Sequence, residues 1–301
     1  MDSVGPVDNS SITSRLSLQK LCSVVSQFSD FKRDLIKEIG FGGALAIQPR
    51  KKINLKLSSW LMDRVDVDSC SLNIEGHPPV VIFDQDVEDV LALPCGKRSI
   101  SAEGVDPSNA CIEYTRFAAA LSQKGTHSLK AAEVYLMRDI TSESSALEIE
   151  CFKIAFVVFY VGHVLAPSAK HDYIFIDFWA ALNDSSKLTD WNWCAYVLKH
   201  LFAVVRKFKT DVAKRNSTIH LVRNHIFLQV KYLDLLDLGT HSRPINIGPH
   251  IGLYDYDSMK KIVDRISVNL GNDTSFHGAS FRNVDKPSGL HQVNNSCAAT
   301  R

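Results

Sequence analysis

The chain has 301 residues, of which 45% are hydrophobic and 22% charged, a composition typical of a protein that folds around a hydrophobic core. Lys and Arg total 34 against 33 for Asp and Glu, so no overall charge would draw the molecule onto nucleic acid or an anionic membrane. The seven cysteines are scattered, odd in number and without CxxC spacing, which argues against a secreted disulfide scaffold and indicates reduced thiols.

The first third of the chain predicts a flexible arm, short helices and one hairpin. Residues 1–13 are small and polar, which predicts the arm. Apolar residues at helical spacing then predict three helices, at 14–28, 31–39 and 54–65. Gly40 is placed to end the second helix, and Asn54 to cap the third. Alternating apolar residues on either side of a GHPP turn in 71–83 predict a β-hairpin, the only convincing β pattern in the sequence.

Helical periodicity continues through the rest of the chain. It predicts further helices at 85–93, 107–124, 127–140, 146–166, 190–215, 219–238 and 258–266, with Asp84, Asp106, Thr126 and Asp257 as N-caps. The helices at 190–215 and 219–238 are expected to pack antiparallel. Residues 173–182 fit a strand or a short helix equally well.

The predicted fold is therefore mainly α: a single multi-helix globular domain over residues 14–267, with one small β-hairpin. A sub-boundary could fall near 97–105, and residues 268–301 lack an apolar period, which predicts a disordered C-terminal tail. The longest apolar run, 151–166, is shorter than the roughly 20 residues that cross a bilayer. It predicts a buried core helix and no membrane association. We expect His163, inside this run, to be a core histidine bonded to a carbonyl.

Six stretches, taken in order, carry a family resemblance. They are FKRDLIKEIGFGGAL (31–45), LSSWLMDRVDVDSCSLNIEG (57–76), DQDVEDVLALPCG (84–96), FKIAFVVFYVGHVLAPSAKHDYIFIDFWAAL (152–182), DWNWCAYVLKHL (190–201) and IFLQVKYLDLLDLG (226–239). Over roughly 28–267 the chain resembles a family of grass proteins related to the plant mobile domain (aminotransferase-like plant mobile domain) and linked to transposable elements. The resemblance implies a transposon-derived nuclear protein, connected with silencing or genome integrity.

The resemblance brings no catalytic residues and no cofactor. The label aminotransferase-like has no support in this sequence, because no glycine-rich phosphate cup accompanies a Schiff-base lysine. Related chains are sometimes fused to a downstream cysteine protease domain specific for ubiquitin-like modifiers. The first interpretation is therefore a non-catalytic nuclear interaction module, with the cytoplasm as the alternative location. The second is the truncated N-terminal part of such a transposon-encoded protein.

A polar cluster follows the predicted helix end at Pro167. It consists of Ser168, Lys170, His171, Asp172 and Asp177. His171 beside Asp172 could be an acid/base or metal pair, but no third ligand has suitable spacing. We interpret the cluster as capping and loop-fixing residues. An enzyme would depend on this pair and on Cys95 alone, so we predict no catalytic residue and no metal site.

The predicted helix at 190–215 carries a run of basic residues in its second half, with Asp211 as the only acid. They are Lys199, Arg206, Lys207, Lys209, Lys214 and Arg215. A phosphate backbone could contact them, each contact steepening the log–log salt dependence of binding by about 0.9. The alternative is an ordinary solvated helix face. Nucleic acid is thus a candidate partner, beside protein partners that the sequence does not identify.

Overall fold

The computed structural model of the chain describes residues 11–50, 52–101, 106–270 and 273–282. Within these ranges the protein is a single mainly α domain, as predicted, and its buried apolar side chains form one continuous core. None of the helices in these ranges is long and apolar enough to cross a membrane.

The chain begins with a strand and three helices. They are β1 (Ser11–Ser14), α1 (Leu18–Val25), α2 (Asp30–Glu38) and α3 (Leu55–Arg64). The first helix starts later than predicted, and the predicted arm is ordered at 11–13, because 11–14 pair in parallel with residues 218–221. The predicted C-terminal end of α2 and the predicted N-cap of α3 are confirmed. Gly40 follows α2 with φ of +83°, and the Asn54 side chain accepts the Leu57 amide.

A small antiparallel sheet follows α3. It contains β2 (Val65–Asp66), β3 (Ser71–Leu72) and β4 (Val80–Val81), in that order. The pairing of β3 with β4 confirms the predicted hairpin. The next helix, α4 (Asp84–Leu91), is capped one residue earlier than expected. The Asp86 carboxylate accepts the backbone amide of Phe83, which makes Phe83 the N-cap and Asp84 the first helical residue.

Three helices form the middle of the molecule: α5 (Asn109–Leu121), α6 (Leu129–Leu136) and α7 (Ala146–Tyr160). Each has a serine as its N-cap, and each serine hydroxyl accepts an amide of the first turn. The predicted caps Asp106 and Thr126 are therefore wrong. Ser108 and Ser128 lie two residues further along the chain and supply the acceptors instead.

Helix α7 lies at the centre of the core, packed against α2, α5 and α6. Every residue from 151 to 160 is buried, as expected for a helix that is apolar on all sides. Lys153 is the one charged residue in this stretch, and its Nζ lies 3.1 Å from Oε1 of Glu38 and 3.3 Å from Oε1 of Glu150. The helix continues into a π-helical turn, Val161–Leu165. The ambiguous segment 173–182 contains no strand, and a 3-10 turn, Trp179–Asn183, occupies its end.

The C-terminal part contains α8 (Trp193–Ala213), β5 (Thr218–Leu221), α9 (His225–Leu235) and α10 (Tyr256–Ile266). Strand β5 replaces the start of the helix predicted at 219–238, because it pairs with β1. Helices α8 and α9 each pack mainly against α3 and α4, rather than on each other as predicted. Asp255, not Asp257, caps α10, because its carboxylate accepts the Ser258 amide at 2.7 Å.

The chain stays ordered beyond the start of the predicted tail. Strands β6 (Val268–Leu270) and β7 (Asp273–Ser275) pair antiparallel. Phe276 is buried, and the ring of Phe281 stacks on His77 with centroids 3.8 Å apart. The rest of the predicted tail, 283–301, lies outside the described residues, as do 1–10 of the arm and 102–105 of the predicted sub-boundary.

Candidate functional site

The six basic residues predicted on the long helix are all exposed, on α8 or just beyond its end. We call Lys199, Arg206, Lys207, Lys209, Lys214 and Arg215 the basic face. The opposite side of α8 is part of the core, where Val197, Leu201 and Val205 are fully buried. From Lys199 to Lys214 the backbone rises by about 22 Å, at about 1.5 Å per residue. The helix is thus a rigid support that presents cations along one side.

Acidic side chains neutralise part of the basic face. The ion pairs are Arg206 with Asp68 at 3.8 Å and Lys207 with Asp211, and the positive charge of Lys209 also favours the ionised form of Asp66. The Arg206–Asp68 pair is exposed, and such pairs contribute about 0–1 kcal/mol, so a phosphate can displace Asp68. Asp211 is buried and also accepts from the Asn216 amide, so Lys207 stays paired. Among the described residues, no carboxylate lies within ion-pair distance of Lys199, Lys214 or Arg215. These three cations are the most available for a partner.

Four of the five residues of the predicted polar cluster line one cavity of about 180 Å³. These are Ser168, Lys170, His171 and Asp172, and the same cavity is lined by Arg15, Ser17, Leu129, Gly162, His163, Pro167 and Tyr173. Neither Asp177 nor any cysteine of the described ranges contributes to its wall. The cavity lies where the loop after the π-helical turn meets the start of α1.

Asp172 fixes this loop to the first turn of α6. Its Oδ1 accepts the backbone amide of Lys130 at 2.7 Å, and the Ser128 hydroxyl lies 3.1–3.2 Å from both carboxylate oxygens. Nζ of Lys124 lies 3.9 Å from Oδ2. Asp172 has a left-handed backbone, with φ of +46°. Its carboxylate therefore holds the loop against the N-terminal end of α6.

Asp177 does not join this cluster and lies against α8 instead. Its Oδ1 accepts the Tyr196 hydroxyl at 2.9 Å, and its Oδ2 lies 3.1 Å from Nε2 of His200. Burial opposes ionisation of Asp177, but the contacts with His200 and Tyr196 hold its pKa below the usual value. Burial also lowers the pKa of His200.

Tyr196 and His200 were missed in the sequence analysis. They are four residues apart on α8, among the apolar positions that indicated a packing face. The spacing places both on one side of the helix, but nothing in it indicates that Asp177 lies opposite. A contact between a loop and a helix 19 residues later depends on the tertiary fold.

His163 lines the cavity, contrary to the prediction that its ring would bond a carbonyl. Its own backbone oxygen accepts the Ser17 amide at 3.0 Å, but no described residue forms a hydrogen bond with its ring nitrogens. The π-helical turn adds a residue to the helical repeat and so changes the direction of the side chain. Burial lowers the pKa of His163 to about 4, so the ring is neutral at pH 7.

His225 is the centre of a buried network between β1, α3 and α9. Its Nε2 lies 2.7 Å from Oγ of Ser14, and its Nδ1 lies 2.8 Å from Oγ of Ser58. Gln229 donates to the same Ser58 oxygen at 2.6 Å. Burial lowers the pKa of His225 to about 4, which keeps the ring uncharged. His220 is exposed and pairs with Thr13, so the two histidines do not converge on a metal.

A second buried network joins α9 to the segment before α10. Asp234 Oδ2 lies 2.8 Å from Nδ1 of His250, and its Oδ1 accepts the Tyr254 hydroxyl at 2.9 Å. The other ring nitrogen of His250 lies 3.0 Å from the Ile245 carbonyl oxygen. The hydrogen bond to Asp234 raises the pKa of His250. Both networks have their histidine nitrogens occupied, which indicates a structural role.

The cysteines are dispersed through the fold. Cys22, Cys95, Cys111, Cys151 and Cys194 are free thiols, as expected, whereas Cys70 is disulfide-bonded, so the expectation of reduced thiols fails there. In the part of the chain that the structure describes, no three His, Cys, Asp or Glu residues are grouped so as to hold a metal ion.

Comparison with known proteins places the chain in a family. Residues 14–228 match the model of a domain of unknown function, DUF8566. No curated protein and no solved structure matches the chain. The match runs from the end of β1 into α9, so it includes the whole of α8 and every residue that lines the cavity. Because the match covers well over half of the sequence, the chain belongs to the DUF8566 family.

Proposed function

We propose that this chain is a non-catalytic interaction module of transposon origin that works in the nucleus and contacts nucleic acid through the basic face of α8. The observation that carries the proposal is the exposure of all six cations along and just beyond a helix whose other side is part of the core. Protein partners are expected to bind elsewhere on the helical surface. The proposed origin and location rest on the six stretches that resemble the plant mobile-domain family.

Local charge explains how a nearly neutral protein can bind a polyanion. The formal net charge is only +1, so attraction depends on how charge is distributed rather than on its total. Cations that neutralise phosphates release counterions, and this release supplies most of the affinity for a nucleic-acid backbone. Contacts with the backbone alone carry little sequence information. We therefore propose binding with weak sequence preference and strong dependence on salt.

The test is a titration of fluorescently labelled duplex DNA and single-stranded RNA with the full chain at low salt, followed by fluorescence anisotropy. The variant Lys199→Glu/Lys214→Glu/Arg215→Glu reverses the three cations that have no carboxylate neighbour. It should weaken binding by at least about 100-fold, because each lost contact to a charged group costs about 1.5–3 kcal/mol.

A matched control is the variant Lys56→Glu/Lys130→Glu/Lys261→Glu, which reverses the charge of three exposed lysines on other helices. It has the same net charge as the test variant and should bind several-fold more weakly than the wild type at most. Equal loss in both variants would mean that only net charge matters, and the basic face would then have no special role. Absence of binding by the wild type would contradict the proposal itself.

A further inference from the structure

The cavity beside the π-helical turn has the composition of an anion site. Arg15 and Lys170 are exposed cations at its rim, and His171 lies next to them. The carboxylate in its wall, Asp172, is already held by Ser128 and by the Lys130 amide. Positive charge therefore remains available in the cavity after the internal contacts are made.

The start of α1 forms one side of the cavity through Ser17. Ser17, the N-cap of this eight-residue helix, lines the cavity, and its side chain makes no capping hydrogen bond. The first turn of α1 has no acidic residue. The Ser17 amide is bonded to the His163 carbonyl oxygen, so the Ser17 hydroxyl is the group that this residue can offer to a ligand. The positive end of the α1 dipole favours negative charge near Ser17.

Two polar side chains in the cavity wall have hydrogen-bonding capacity that the described residues do not use. Ser168 is only 6% exposed, and its Oγ accepts the Lys170 amide at 3.1 Å. No residue in the described ranges accepts the Ser168 hydroxyl proton. The neutral ring of His163 likewise offers one donor and one acceptor that no described residue uses. The Ser168 hydroxyl is buried and the His163 ring is partly exposed, so both can bond to a ligand or to water inside the cavity.

We propose that this cavity binds the phosphate group of a small phosphate monoester. Its volume of about 180 Å³ is below the roughly 300–1,000 Å³ of pockets that enclose drug-sized ligands, so it fits a phosphate with a short substituent. Arg15 and Lys170 supply the countercharge, and the side chains of Ser17, Ser168 and His163 supply neutral hydrogen bonds. The site is separate from the basic face and does not depend on the proposed function.

The test measures the melting temperature of the full chain with increasing inorganic phosphate or glycerol phosphate, against sodium chloride at equal ionic strength. A ligand that binds only the folded state raises the melting temperature in a saturable way. The wild type should show this rise with both phosphates. The variant Arg15→Gln/Lys170→Gln should weaken the apparent affinity by at least about tenfold, because two charge-assisted hydrogen bonds are lost.

Two further variants keep the result interpretable. Lys130→Gln removes an exposed lysine whose side chain does not line the cavity, and it should respond like the wild type. Ser17→Asp places a carboxylate at the start of α1, and it should abolish the phosphate response without lowering the melting temperature in chloride. A wild-type response equal to that in chloride, or an unchanged response in Arg15→Gln/Lys170→Gln, would overturn the proposal. The variant with three reversed cations on α8 should keep the phosphate response, so this site and the basic face can fail separately.

Discussion

The buried histidine networks and the polar cavity use similar residues in opposite ways. Both ring nitrogens of His225 and of His250 have partners within the fold. The ring of His163 is partly exposed and has none among the described residues. The difference is the number of hydrogen bonds that the fold itself completes. Polar groups with internal partners hold elements together, whereas groups without them are available to a ligand.

Removal of one partner from the Asp234 network should have the largest effect on stability. Asp234→Ala would leave the His250 imidazole and the Tyr254 hydroxyl buried without their acceptor. Breaking a buried pair in this way costs about 3–5 kcal/mol of unfolding free energy. Urea denaturation checks the value. Asp257→Ala, an exposed carboxylate on α10, is the control and should change stability by less than about 0.5 kcal/mol.

His225 should make the stability depend on pH. Its folded pKa of about 4 is below the value of about 6.5 expected when unfolded, so the unfolded state binds the proton more readily. Its contribution is therefore present above pH 6.5 and is lost as the pH falls towards 4. From pH 7 to pH 5, His225→Gln should lose about 2 kcal/mol less stability than the wild type. Urea denaturation at both pH values measures the stability of each protein. If the wild type and His225→Gln lose the same stability between pH 7 and pH 5, His225 is not buried in its neutral form.

Substitutions in the cavity should have the smallest effect on stability. Arg15→Gln/Lys170→Gln removes two exposed cations that make no ion pair with any described residue. We expect a change of less than about 1 kcal/mol in chloride, because surface substitutions away from special features are nearly neutral. Thermal denaturation checks this. A loss as large as that of Asp234→Ala would mean that the cavity residues hold the fold together and that the contrast between the two regions is false.

The periodicity of apolar residues was sufficient to predict most helices, because each helix buries one stripe or, in α7, its whole surface. It failed where a distant partner decides the local structure. Ser11–Ser14 is a strand only because Thr218–Leu221 lies beside it, and the β6–β7 pair extends the ordered chain into the predicted tail.

The candidate sites were predictable to different degrees. For the four cations within α8, exposure follows from their position away from the buried apolar stripe, which helical periodicity makes visible in the sequence. The cavity combines Arg15 with His163 and Lys170, residues about 150 positions apart in the chain, and no local pattern joins them. The π-helical turn that directs His163 also has no signature in the apolar periodicity.

The salt dependence of DNA binding tests the central claim most directly. If Lys199, Lys214 and Arg215 each contact a phosphate, the log–log slope of the binding constant against salt should be about 2.7 units less steep in their triple reversal than in the wild type. The control with three reversed lysines on other helices should keep the wild-type slope. An identical slope in the wild type and the α8 variant would contradict the assignment of the basic face as the nucleic-acid contact.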